Sequence, residues 1–159
     1  MTIRLENLAD DGGRIPYSYS PHIATKNTAM LFRHIPENEP WNIPAVLNNK
    51  SARDTWDEDF KDWIKYLDGL ESGLRISQKS ASEKGISGDK NDFDAYMYFK
   101  ASGLDVTDTT IVSIRRVFLS LMSIEGRQKY NFEEPDGVPN QEDIRITRTV
   151  VENFDQRNA

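Results

Sequence analysis

Apolar positions along this chain fall into stretches of different spacing, and each spacing implies a different element. Between Ile111 and Ile124, nine of fourteen residues are Ile, Val, Leu, Met or Phe. The polar residues of that stretch and just beyond it, Ser113, Arg116, Ser120, Ser123 and Arg127, stand three or four apart and share one narrow stripe of a helix. The spacing predicts a helix over 107–126 with Thr107 or Asp108 as its N-cap and Gly126 as its C-terminal glycine. A helix apolar on almost every side belongs in the middle of a fold.

A second periodic stretch holds Trp56, Phe60, Trp63, Ile64, Leu67 and Leu70 on one helical face. Thr55 and Glu58 have capping-box spacing, so this helix is predicted over 55–70. Asp92 opens a shorter helix with Phe93, Tyr96, Met97 and Phe99, and Gly103 marks its stop. Towards the C-terminus the pattern is divided: Ile144, Ile146 and Val150 alternate as in a strand, whereas Ile144, Thr147, Val151 and Phe154 step as in a helix. Asn140 with Asp143, the preceding Pro139 and the acidic opening Glu142-Asp143 are helix-start signals, so a helix over 141–155 is the reading taken.

Two stretches break the periodicity. Residues 71–91 are rich in Ser, Gly and Lys and read as a mobile loop. Residues 1–50 hold five of the seven prolines, which limits helix there to a turn or two around Thr25 to Arg33. That N-terminal stretch still carries Tyr17, Ile23, Leu31, Phe32, Trp41 and other apolar residues needing burial. The expected architecture is therefore all-α: a small bundle of about four helices in 51–159, preceded by a long extended proline-rich arm over 1–50. Such an arm wraps its own core or a neighbouring subunit.

Composition narrows the function classes. A chain of 159 residues suits one domain. Its 37% hydrophobic content and mean hydropathy of -0.67 are low for a compact globule, and its 10% aromatics are high for a disordered chain. The net charge of -6 disfavours non-specific binding to nucleic acid or acidic membrane. No cysteine is present, which excludes disulfides, thiolate metal sites and cysteine nucleophiles. The opening residues lack the apolar run of a secretory signal, and no segment has the eighteen apolar residues of a membrane span.

Candidate chemistry is sparse. His22 and His34 both fall in the proline-rich arm and lack metal-ligand spacing, the glycines form no phosphate-binding loop, and the acids from Asp54 to Asp62 crowd a helix start, where the dipole favours them. The expectation is of no enzyme, no catalytic residue, no metal and no cofactor. The arginine line of the central helix is the exception. It is either a thin solvated strip paired with acids such as Asp92, Asp94 or Asp105, or a row of guanidiniums and hydroxyls presented to phosphate.

The run Asp108-Thr109-Thr110-Ile111-Val112-Ser113-Ile114-Arg115, followed by the apolar stretch, Gly126 and Tyr130-Asn131, resembles the long inner helix of the coat proteins of rod-shaped plant RNA viruses, the tobamovirus type. The resemblance covers some twenty of the 159 residues. It implies that Asp108, Arg115 and Arg116 lie against encapsidated RNA; Ser120 and Arg127 extend the same stripe. The basic pair that precedes the acidic positions in that family is absent, with Asp105-Val106 in its place. The expectation is a self-associating structural subunit, a viral coat or virion protein found in the virion and the host cytoplasm. Its partners would be copies of itself and single-stranded RNA, with no membrane. The alternative is a monomeric acidic adaptor or regulator that binds a partner protein through its arm or loop.

Overall fold

The computed structural model describes residues 22–36, 38–80, 90–101 and 105–157. Within them the chain is all-helical: α1 (His22–Phe32), a short 3-10 turn (Ala45–Asn48), α2 (Lys50–Ser80), α3 (Lys90–Ala101), α4 (Asp108–Leu121), α5 (Ile124–Lys129) and α6 (Gln141–Arg157). The long helix α2 is the spine, packing against α1, α3, α4 and α5, while α6 closes the bundle against α1 and α4.

The core is aromatic. The indole of Trp63 on α2 lies between the rings of Phe118 on α4 and Phe154 on α6, with centroids 5.2 and 6.0 Å away and both pairs within 10° of parallel. Phe32 of α1 meets Phe118 edge-on, and Phe99 of α3 meets Phe154 in the same way. Five helices thus converge on one stack. Trp63 Nε1, which would otherwise be a costly buried donor, donates to Thr28 Oγ1 on α1 at 3.0 Å.

Several expectations require correction. Residues 22–32, assigned to an extended arm within 1–50, form three turns of helix, because no proline interrupts Pro21 to Pro36 and Thr28, Ala29, Leu31 and Phe32 supply a buried face. Arg148 of α6 donates to the carbonyls of Phe32 and Ile35, holding the C-terminal end of α1 against the bundle. Residues 1–21 of the expected arm lie outside the described residues. Among the described residues the bundle accordingly has six α-helices rather than about four.

The helix expected over 55–70 begins five residues earlier and ends ten later. Asn49 Oδ1 caps it, accepting from the Ser51 amide at 3.0 Å, so Thr55 lies inside the helix. At the other end Gly73 and Leu74 are buried, which carries α2 through 71–80, the first half of the expected loop 71–91. Of the remainder, 81–89 lie outside the described residues, as does the expected stop Gly103, while residues 90–91 already belong to α3, which places the expected cap Asp92 inside that helix.

The central helix expected over 107–126 is two helices. Thr107 does cap α4, accepting from Thr110 N at 3.1 Å. The chain then breaks at Met122 and Ser123, both extended, and restarts as α5 with Ser123 Oγ accepting from Gly126 N at 2.9 Å. Gly126 therefore sits inside α5 rather than ending it. The stop is Asn131, in the left-handed region at φ 62°, with Phe132 N donating to Arg127 O at 2.8 Å and Asn131 N to Gln128 O at 3.2 Å. The C-terminal segment is helical as expected, and its start is a reciprocal box: Asp143 N donates to Asn140 Oδ1 at 2.8 Å, and Asn140 N donates to Asp143 Oδ2 at 3.1 Å.

Candidate functional site

Helix α4 carries most of the residues expected to act, and its two flanks use them differently. On the flank facing α2, Asp108 and Arg115 stand two turns apart. Arg115 Nη2 donates to Asp68 at 2.8 Å and lies 3.5 Å from Glu71, while Asp108 accepts from Arg75. The charge order reverses along each helix, acid then base on both, so the antiparallel pairing fits one register of α2 against α4. Asp68 and Asp108 are well exposed, so each pair contributes little to stability while the ladder sets alignment.

On the flank facing α6, Arg116 is a clamp. Nε donates to Asp136 Oδ1 and Nη1 to Asp143 Oδ2, each at 2.7 Å. Asp143 is buried and already serves the α6 box, so one guanidinium ties α4, the loop before α6 and the start of α6 together. The Asp136 and Asp143 carboxylates hold Arg116 well above the usual guanidinium range, and Arg116 in turn lowers the Asp136 carboxyl. Arg115, Arg116, Glu133, Glu134 and Asp136 share a cleft of about 200 Å³ with Val112 and Leu119. With three carboxylates among its walls, that cleft is a poor receptor for phosphate.

Arg127 turns back on α4. Its Nη1 donates to the carbonyls of Leu119 at 2.7 Å and Met122 at 3.0 Å, neutralising the negative end of the α4 dipole. Ser120 is half-buried nearby. The structure therefore brings Asp108 and Arg115 together on one flank, and it places Arg116 on the other and Arg127 past the helix end. Ser113, read as part of the exposed stripe, is buried. These residues do not form a continuous solvent-facing row, and every arginine among them has partners within the chain.

Sequence reasoning missed a second feature at this end of the bundle. Trp41, Ile43, Met122, Ile124 and Val138 line an open groove of about 350 Å³, together with Ser120, Arg53 and Arg127. Ile43, Ile124 and Val138 are 45%, 63% and 74% exposed. Its only signals in the sequence were Trp41 and Ile43, apolar residues in a proline-rich stretch, and Val138 beside Pro139 in a turn.

The groove wall is firmly built. Arg53 donates to Leu47 O at 3.1 Å and Leu121 O at 2.5 Å, joining the 3-10 turn to the end of α4. Asp57, buried one turn later, accepts from Ser123 N at 3.0 Å and Ser123 Oγ at 2.5 Å, which anchors the start of α5. Among the described residues no group of His, Asp and Glu is placed to hold a metal ion, and no helix is long and apolar enough to cross a membrane. Comparison with family models, with curated proteins and with solved structures finds no match for this chain.

Proposed function

We propose that the chain is a self-associating structural subunit of the viral coat type, acting in the virion and the host cytoplasm. The observation that carries this reading is the groove: three large aliphatic residues, 45% to 74% exposed, gather at one end of a bundle whose other apolar residues are mostly covered. Clustered apolar exposure of this kind marks an association surface. The α4 resemblance supports the same class of protein. This reading gives the chain no catalytic role and needs no cofactor.

Single-stranded RNA is the partner that the resemblance suggests. Contact with it requires a phosphate to take the place of Asp68 on Arg115 or of Asp136 on Arg116, both exposed carboxylates. Protein–protein contact is therefore the primary means of assembly in this proposal, and RNA is secondary.

Sedimentation velocity over a hundredfold concentration range, with negative-stain microscopy of the same samples, tests it. Self-association gives rods, rings or a concentration-dependent rise in sedimentation coefficient. A single 18.3 kDa species throughout would overturn the proposal and favour the monomeric adaptor.

A further inference from the structure

Among the described residues, Arg53 and Arg127 are the charged side chains that line the groove, in a chain of net charge -6, and Arg53 Nε also lies 3.6 Å from the Asp57 carboxylate behind it. Arg127 uses one terminal nitrogen on two backbone carbonyls and, among the described residues, has no carboxylate partner. An occupant that matches this groove is apolar and carries an excess of acid.

One stretch of the chain outside the described residues has that composition. Residues 1–11 contain Ile3, Leu5 and Leu8 with Glu6, Asp10 and Asp11 against a single Arg4. Residues 81–89 offer one large aliphatic side chain, Ile86, and 102–104 and 158–159 are too short. Residues 12–21 then link 1–11 to α1, a reach of at most roughly 35 Å for an extended chain.

We infer that the groove receives residues 1–11 of a neighbouring copy, its aliphatic side chains on Ile43, Ile124 and Val138 and its acids towards Arg127 and Arg53. This rests on the self-association reading and names the contact that produces it. Each copy then gives one segment and accepts another, a head-to-tail arrangement that closes into rings or grows into filaments.

The test uses the full chain with the photo-cross-linker p-benzoylphenylalanine at Val138, prepared in light and nitrogen-15 forms and mixed before illumination. Expected are cross-links from position 138 to residues 1–11 in which light and heavy peptides are joined. Cross-links only within one isotope form show a segment in its own groove and overturn the exchange. Absence of cross-links to 1–11 overturns the assignment of the occupant. Either result stands apart from the sedimentation of the unaltered chain, which tests self-association alone. In parallel, Leu5→Glu with Leu8→Glu is expected to raise the dissociation constant of assembly at least about tenfold. An unchanged constant would also overturn the inference.

Discussion

The indole of Trp63 and the ring of Phe118 lie 10° from parallel with centroids 5.2 Å apart, and both side chains are fully buried. They join the spine helix α2 to α4, and Phe154 extends the stack to α6. Truncating either Trp63 or Phe118 to Ala is expected to cost about 3–5 kcal/mol, because the cavity sits where several helices meet and has no side on which to collapse. Trp63→Ala also leaves the Thr28 hydroxyl without its donor. Urea titration followed by far-ultraviolet circular dichroism reads the loss, and a change under about 1 kcal/mol would contradict this packing.

Gly126 offers a sharper geometric test. A Cβ added there would lie 2.5 Å from Asp57 Oδ2, a carboxylate fixed by two bonds from Ser123. Helix propensity alone favours Gly126→Ala by up to ~1 kcal/mol. The clash outweighs it, and a net destabilisation of about 1–3 kcal/mol is expected. Adding Asp57→Ala should then cost less in the Gly126→Ala background than in the parent, so a double-mutant cycle with no coupling would refute the contact.

How much of this was legible in the sequence depends on how local each signal was. The faces of α2, α4 and α6 follow from periodicity, and the Asn140–Asp143 box and Thr107 cap follow from spacing, because these are matters of near neighbours. The break at Met122 was hidden. Its causes are the Asp57 carboxylate, 66 residues from Ser123 in sequence, and Arg127 folding back on the α4 carbonyls. Gly126 resembled a C-cap because glycine serves both as a left-handed residue and as a place of close approach, and sequence does not separate these uses. For the arginines, residue type announced strong hydrogen bonding, but Asp68 and Asp136 became their partners only through the packing of distant segments.

A buried acid predicts how stability responds to pH. Asp59 of α2 is 8% exposed, with Asn27 Nδ2 donating to it at 3.4 Å, and burial raises its carboxyl above the ordinary 3.8, with Asp62 and Glu58 adding repulsion. Because the folded state holds this proton more tightly than the unfolded chain does, the Asp59 contribution becomes more favourable as pH falls through the folded value, and levels off below the unfolded one. Asp59→Asn is therefore expected to raise the melting temperature at pH 7 and to remove that part of the pH dependence. Melting curves of parent and variant between pH 7 and pH 4 check it; a variant less stable at pH 7, with the acid-side slope unchanged, would show that the ionised form is favoured instead.

Arg116 decides between scaffold and nucleic-acid contact. Replacing it with Gln leaves the Asn140 amide as the one remaining donor, among the described residues, to that oxygen of the buried Asp143 carboxylate, and frees Asp136 from α4. A loss of about 2 kcal/mol is expected, in the range for a charged group deprived of its partner, with discounting for the exposed Asp136 arm. Lysine keeps the charge but lacks the planar fork that reaches two carboxylates, so Arg116→Lys should recover part of the loss. The Asp136 arm adds its own pH signature: since Arg116 lowers that carboxyl, its contribution is present above about pH 3.8 and fades as pH falls through the lower folded value. Asp136→Asn should abolish this fading by removing the contribution at higher pH, leaving stability below the folded value unchanged. Salt dependence of RNA-driven assembly, measured on Arg115→Gln with Arg116→Gln, separates the roles. Two guanidiniums that meet phosphate on a single strand give a slope flatter by about 1.4 units of log–log salt dependence, whereas a pair engaged only with Asp68, Glu71, Asp136 and Asp143 gives a lower melting temperature and the parent's slope. The geometry of the clamp predicts the second result.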